Sequence, residues 1–417
     1  MTSRRLLAGL PPTGALSLGA HLEAHGGRPT VTRGDGAALI ELVEASGLRG
    51  RGGASFPASI KLAAAARGRN PVVVVNGTEG EPMSAKDRVL LEFTPHLVLD
   101  GATLAAQAVG ARECLLVAPA TSHRRLAEAI AERRQMPGSG VRVKLKTAAT
   151  GYVAGEETAV LAHLEGRRPL PRVTPPRPAE RGFRGRPTLV HNVETLAHIA
   201  LIARHGADWF RSVGTPERPG TTLVTVSGAV GVPGVYELPT GEPLPALIEA
   251  AGGRTEPVRA LLVGGYFGAW VEGCGSGLRL DDTSLRPTGA ISGAGVVVAL
   301  GESECPVAEV ARLAAWLSSE SAGQCGPCVH GLAGIADLVE RAADGRGLSG
   351  DRERLVRWTS MVSGRGACRH PDGAARMIAT ATRVFAREFQ DHDRYGRCEA
   401  CAWPRVLATP SREARAA

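Results

Sequence analysis

At 417 residues the chain is too long for one simple core, so two to four domains are expected. Its 43% hydrophobic and 22% charged content is that of a globular protein and excludes a largely disordered one; no apolar run reaches the length of a membrane span. The net charge of +8 is almost all Arg, since Lys occurs only at Lys61, Lys86, Lys144 and Lys146. The Arg residues are scattered rather than interleaved with aromatics, which argues against nucleic acid and favours a solvated, Arg-biased surface, with a docking face for an acidic redox partner as the middle reading.

Residues 1–27 carry Arg4 and Arg5 but no long apolar core of a secretory signal. They read as part of an N-terminal extension (1–30) on a cytoplasmic chain. The eight Cys then sit in a reducing compartment, where metal or redox roles are favoured over disulfides.

In chain order, residues 37–46 form an amphipathic helix with Leu39, Ile40, Leu42 and Val43 on its apolar face. A glycine-rich loop follows, Gly50-Arg51-Gly52-Gly53-Ala54-Ser55, and a second helix runs from near Pro57 through Ala66. A buried strand at 72–75 ends at Asn76-Gly77. A helix at 97–109, a strand at 114–118, a helix at 124–134 and a strand at 141–146 continue the alternation, which predicts a mostly parallel, layered α/β domain over 31–205. Strands near 223–227, 234–238 and 260–263 with a helix at 244–251 make a compact β-rich unit over 206–295. Over 300–392 the period becomes helical, with segments near 307–318, 328–342, 355–362 and 374–389 predicting a small bundle. The tail, 393–417, is polar and expected to be loose apart from Cys398 and Cys401.

Four constellations carry chemistry. Glycine loops let backbone N–H groups approach an anionic cofactor, with a following helix N-terminus adding its dipole; a tight turn between helices would explain the loop equally well. Asn76-Gly77-Thr78-Glu79-Gly80-Glu81-Pro82, followed by Lys86-Asp87-Arg88, ends a buried strand, where open α/β sheets place ligands. Gly151-Tyr152, Gly155-Glu156-Glu157-Thr158 and His191-Asn192-Val193-Glu194-Thr195 include acids suited to helix starts. Cys325-Gly326-Pro327-Cys328, with Cys368 beyond, is a cluster or metal signal at a helix N-terminus; a zinc site or thiol redox pair is the alternative.

Taken in order over roughly 37–389, these motifs resemble the FMN- and NADH-binding subunit family of respiratory complex I, shared with hydrogenases and formate dehydrogenases. The resemblance implies an α/β fold with a layered Rossmann-like flavin domain, a β-grasp (ubiquitin-like) domain and a C-terminal helical bundle. It implies that Gly50, Gly52, Gly53, Asn76, Glu79, Tyr152, Gly155, Glu156 and Asn192 line FMN, and that Phe56, Lys61, Glu81 and Glu157 face the nicotinamide nucleotide. It further implies an iron–sulfur cluster, 4Fe–4S or 3Fe–4S, on Cys325, Cys328 and Cys368. The implied function is electron transfer from NADH through FMN to an iron–sulfur centre and a carrier protein or quinone-linked complex, with no side-chain nucleophile.

The implied partner is a ferredoxin-like or thioredoxin-fold 2Fe–2S protein, and the chain would be cytoplasmic, or peripheral to a membrane complex without inserting into it. The rival readings are a ferredoxin-linked flavoprotein with another donor and a non-catalytic scaffold.

Three departures from the family pattern stand out. Ala322 occupies the first cluster-cysteine position, leaving Ser321, a water, Cys398 or Cys401 as candidates to complete the cluster. Lys61 is followed by Leu62-Ala63-Ala64 and Pro175-Pro176 by Arg177, so aromatic surfaces for stacking the adenine are missing, each worth on the order of 1 kcal/mol. Thr78 replaces an acid in the flavin strand.

Overall fold

The structure, a computed structural model, describes residues 4–11, 13–29, 31, 35–136, 140–402 and 406–410. The first layer is a four-stranded parallel sheet of β1 (Val72–Asn76), β2 (Glu113–Ala118), β3 (Arg142–Thr147) and β4 (Thr188–Asn192), in the order β3-β2-β1-β4. β1 reads as an unbroken run of valines because it is covered on both faces, as central parallel strands are. Val73 and Val75 enter the larger core, while Val72 and Val74 pack with Leu115, Val117, Val160 and Phe183 on the other side. On the first face the helices Pro95–Val109 and Val193–His205 cross closely. A side chain at Gly101 would bring its Cβ to 1.8 Å from the Leu196 carbonyl oxygen, so only glycine permits that crossing.

The second sheet holds β5 (Thr221–Gly228), β6 (Gly234–Pro239), β7 (Val258–Val263), β8 (Ala269–Glu272) and β9 (Val296–Gly301), ordered β6-β5-β9-β7-β8. Only β5 and β9 pair in parallel, and the helix Leu244–Ala250 packs on one face, giving the expected β-grasp arrangement. Strand alternation divides its side chains: Leu261, Val263, Val297 and Ala299 face that helix, whereas Leu262, Val296, Val298 and Leu300 enter the core of the helical bundle.

The bundle contains Pro306–Ser319, Ala333–Ala343, Asp351–Val362, His370–Val384 and Ala386–Tyr395. Two expectations are corrected. The stretch read as one helix over 374–389 is two helices separated at Phe385, which is fully buried with its ring 5.0 Å from that of Trp270. The helix expected at 328–342 begins as the π-helical turn Pro327–Leu332, an irregularity common at functional sites.

The described part of the tail, residues 393–402 and 406–410, is not loose either. Leu407 is buried, the Tyr266 hydroxyl donates to Ala408 O at 2.5 Å, Arg312 Nη1 donates to the Thr409 hydroxyl at 2.7 Å, and Trp316 Nε1 donates to Pro410 O at 3.0 Å. At the other end, the backbone N–H groups of Arg5, Leu6 and Leu7 converge on the Glu237 carboxylate, and His21 bonds buried Asp100 at 2.9 Å. The described residues of the N-terminal extension therefore pack against both sheets' domains.

Among the described residues no single helix is long and apolar enough to cross a membrane. The bent pair Lys86–Phe93 and Pro95–Val109 would qualify only jointly, and the second of these is almost wholly buried in the core.

Candidate functional site

The chain runs from β1 to β2 and β3 on one side and then crosses back to β4 on the other, so the carboxyl ends of β1 and β4 form a switch point, where open α/β sheets hold ligands. Asn76 and Asn192 end β1 and β4 as register partners. Asn192 caps the helix Val193–His205 by accepting the Glu194 N–H at 3.0 Å, and its Nδ2 donates to Asp87 at 2.6 Å. Glu156 caps Glu157–Leu164, accepting N–H groups of Thr158 and Ala159 at 2.8 and 3.0 Å. Glu79 accepts the N–H groups of Asp87 and Arg88 at 3.0 and 3.1 Å, starting the helix Lys86–Phe93. Three helix N-termini are thus gathered at one sheet edge, where their dipoles favour an anion.

The glycine loop completes the edge. Gly50 N–H bonds Phe56 O at 2.8 Å, closing the loop on itself. Gly53 adopts φ +97°, and a Cβ on Gly52 would lie 3.3 Å from that of Asn192. Arg51 points away from the edge: its N–H bonds the Thr195 hydroxyl at 2.9 Å and its buried guanidinium bonds the carbonyls of Pro219 and Thr221 at 3.3 and 3.0 Å. Burial brings this guanidinium down to about 10, with Glu194 opposing.

Beneath the loop, Lys86 Nζ lies 2.6 Å from Asp87 and 3.1 Å from Glu194. Burial works against the Lys86 charge, yet Asp87 and Glu194 hold the ammonium above its usual range. Burial likewise opposes the Glu194 charge, but Lys86, His198 and Arg51 hold that carboxyl well below its usual range. A cleft bordered by Gly50, Ser55, Lys86 and Glu194 opens toward Thr222 and Gly293 of the β-grasp domain.

Asn76 Nδ2 donates to Gly155 O at 2.9 Å, and a Cβ on Gly155 would sit 3.1 Å from Thr78 O. The Thr78 hydroxyl is buried with no partner. Such an orphan beside close-packed glycine backbone is expected where a polar ligand belongs.

The residues assigned by resemblance to the dinucleotide divide. Lys61 Nζ bonds Glu157 at 2.5 Å, each side chain about one-third exposed (30% and 32%), and Phe56 has the Arg177 guanidinium 6.0 Å from its ring. Glu81 instead accepts the Tyr152 hydroxyl at 3.0 Å and the Tyr266 N–H at 2.8 Å. Gly265 makes room for it, since a Cβ there would lie 2.6 Å from Glu81 Oε2.

Burial raises the Glu81 carboxyl from 4.5 to about 7 despite these bonds. Folding therefore favours its protonated form, and stability falls as pH rises from about 4.5 towards about 7, because the folded state must release a proton that the unfolded state has already lost. Glu81→Gln mimics the protonated carboxyl. Across this window the melting temperature of the wild type is expected to fall relative to that of the variant; parallel curves would contradict this.

The Tyr152 ring meets Phe267, Trp316 and His370 edge-on at 4.7, 5.2 and 5.9 Å, joining all three domains. Its N–H bonds Glu320 at 2.9 Å, which leads directly into Ser321-Ala322. Cys325, Cys328 and Cys368 come together there. Burial, then Cys325 and Cys368, push the Cys328 thiol up to about 12; burial also raises Cys368, with Glu156 and Cys325 among the contributors. Ala322 supplies no donor, and the residues present fit a cluster held by three thiolates.

Cys398 and Cys401 do not complete that group: they lie with Cys305 and His392. Sequence reasoning missed Cys305 and His392, since neither belongs to a recognisable spacing. It also missed the buried contacts of Arg51, Lys86 and Glu194, whose polarity reads from sequence as surface.

Residues 43–201 match the Nuo51 FMN-binding domain family, 223–265 the SLBB domain, and 308–392 the NADH-ubiquinone oxidoreductase-F iron-sulfur binding region. The chain is 36% identical over 377 residues to the F 2 subunit of NADH-quinone oxidoreductase from Rhizobium meliloti (strain 1021), covering 86% of this chain and 90% of that one. It is 36% identical over 389 residues to the F subunit of NADH-quinone oxidoreductase from Mycobacterium tuberculosis (strain ATCC 25618 / H37Rv), covering 86% and 85%. The crystal structure of a NAD+-reducing [NiFe]-hydrogenase in its H2-reduced state superposes with a TM-score of 0.82 at 32% identity, over 93% of this chain and 66% of the hydrogenase chain.

Proposed function

The chain belongs to the F-subunit family of NADH-quinone oxidoreductases, and from that membership we propose that it is an NADH dehydrogenase subunit passing electrons from NADH through FMN to an iron–sulfur centre. One observation carries the reading: the glycine loop and three helix N-termini meet at the switch point of β1 and β4, and Tyr152, beside that edge, bonds Glu320 and packs on Trp316 and His370 of the bundle that holds Cys325, Cys328 and Cys368. FMN, when bound, takes a hydride from NADH and hands on electrons singly.

The protein's own residues bind and orient. Gly50, Gly52 and Gly53 let backbone approach the cofactor. The N-terminus of Val193–His205, capped by Asn192, would hold its phosphate. Asn76, Gly155 and Glu156 shape the ring pocket, with the Thr78 hydroxyl free to bond the ligand. Tyr152 and Glu81 close the wall towards the helical bundle. Glu79 acts one layer back, through the loop and the helix it starts. Lys61 and Glu157, paired and half-buried, face the nucleotide beside Phe56.

The relatives are oxidoreductase subunits by name, and this chain works with partner subunits. An acidic 2Fe–2S redox protein suits its net charge of +8. Its place is then cytoplasmic, or peripheral to a membrane complex.

Two variants test the nucleotide assignment. Lys61→Met and Glu157→Gln should each raise KM for NADH about tenfold, the loss of a contact worth about 1.4 kcal/mol, and leave bound FMN unchanged. A loss of bound FMN with KM unchanged would move the pair from the nucleotide to the flavin.

A further inference from the structure

We propose that Cys305, His392, Cys398 and Cys401 form a tetrahedral site for one zinc ion, separate from the group of Cys325, Cys328 and Cys368, and that this ion fastens the C-terminal segment to the helical bundle.

The four donor atoms lie within 4.8 Å of one another. Cys305 Sγ is 3.4 Å from His392 Nε2 and 3.5 Å from Cys401 Sγ; Cys401 Sγ is 3.6 Å from Cys398 Sγ and 3.9 Å from His392 Nε2. A tetrahedral ion with bonds of about 2.3 Å to sulfur and about 2.0 Å to nitrogen places its ligands roughly 3.5–3.8 Å apart, close to these separations. Donors this tightly grouped leave room for one ion, and not for a cluster whose irons each take a separate thiolate.

The surroundings are set for coordination. His392 Nδ1 lies 3.0 Å from Ala343 O. A carbonyl only accepts, so Nδ1 carries the proton and the lone pair of Nε2 faces the thiols, the arrangement found behind metal-bound histidines. Cys305 caps the helix Pro306–Ser319, its sulfur accepting the Ala308 N–H at 3.4 Å; a helix N-terminus favours thiolate. Cys398 and Cys401 sit on one turn, with the Cys401 N–H on Cys398 O at 3.1 Å. Three sulfurs and one imidazole, with no carboxylate, are a structural zinc donor set rather than one for calcium or magnesium. On binding, three S–H bonds break and three protons pass to solvent while three zinc–sulfur bonds and one zinc–nitrogen bond form; nothing is oxidised or reduced.

Position gives the ion its role. Cys305 and His392 belong to the bundle, whereas Cys398 and Cys401 begin the segment that returns to Tyr266, Arg312 and Trp316. Its Ala408 N–H reaches Met83 Sδ, in the loop after β1, at 3.3 Å. The ion fixes where this strap starts its path across the aromatic wall of the site.

The test is elemental analysis of the full chain, purified anaerobically and dialysed against a mild chelator. One zinc per chain is expected in the wild type. It should be lost to background in the Cys398→Ser/Cys401→Ser double variant, which alters one exposed and one half-buried position, with bound FMN and iron unchanged and the tail cut faster in limited proteolysis. His392→Cys should retain zinc. Cobalt substituted into the wild type should show thiolate charge-transfer bands and tetrahedral ligand-field bands. Absence of zinc from the wild type, equal zinc in wild type and double variant, iron instead of zinc following these cysteines, or cobalt bound without thiolate bands would each overturn the proposal.

Discussion

Glu194→Ala is expected to cost about 3–5 kcal/mol of stability, the usual penalty for breaking a buried ion pair by removing one partner. Glu194 is fully buried, 3.1 Å from Lys86 and 3.9 Å from Arg51, and its Oε1 accepts the Thr222 hydroxyl at 3.1 Å and the Leu223 N–H at 3.0 Å. Alanine leaves two buried cations short of a counter-charge and unfastens the flavin domain from β5. Lys86→Met in the same background should recover part of the loss, since it removes one of the stranded charges; double-mutant thermal or denaturant unfolding measures both. A loss below about 1 kcal/mol, the scale of an exposed pair, would contradict the buried network.

Cys328→Ser is expected to abolish iron binding while sparing FMN. With Ala322 at the first cluster-cysteine position, Cys325, Cys328 and Cys368 are the thiolates proposed to hold the cluster, and removing the one at the start of the π-helical turn leaves two. Iron and sulfide should fall from a full complement to background. The flavin should still bleach with NADH, because the cradle proposed for it is built from β1, β4 and the loops beyond them. Ala322→Cys should act in the opposite sense, lengthening cluster survival in air. Iron retained in Cys328→Ser would show that the cluster lies elsewhere, with the cysteines near His392 the first alternative to examine.

Much of the architecture is legible in the sequence because its signals are local. The valine run of β1, the alternation of strands and helices and the glycine loop each announce themselves within about ten residues. What escaped depends on distant partners. The helix Lys86–Phe93 has a polar sequence and no cap next to it; Glu79, several residues upstream, supplies the carboxylate at its start. The break at Phe385 follows from burial of that ring against Trp270, more than a hundred residues earlier. Cys305 and His392 meet across 87 residues, so neither suggests a ligand in the linear sequence, and the Cys-x-x-Cys at 398–401 looks like a loose tail without them. At the flavin edge, motif residues were readable as a set. Their division of labour was not: Glu79 and Glu81 are two positions apart, yet one serves a helix start and the other two tyrosines.

The most direct test of the flavin site is an anaerobic titration of the FMN-loaded protein with NADH, followed by visible absorption. Rapid bleaching of the flavin bands is the predicted result. Bands that persist with NADH but bleach with dithionite would contradict NADH as the donor.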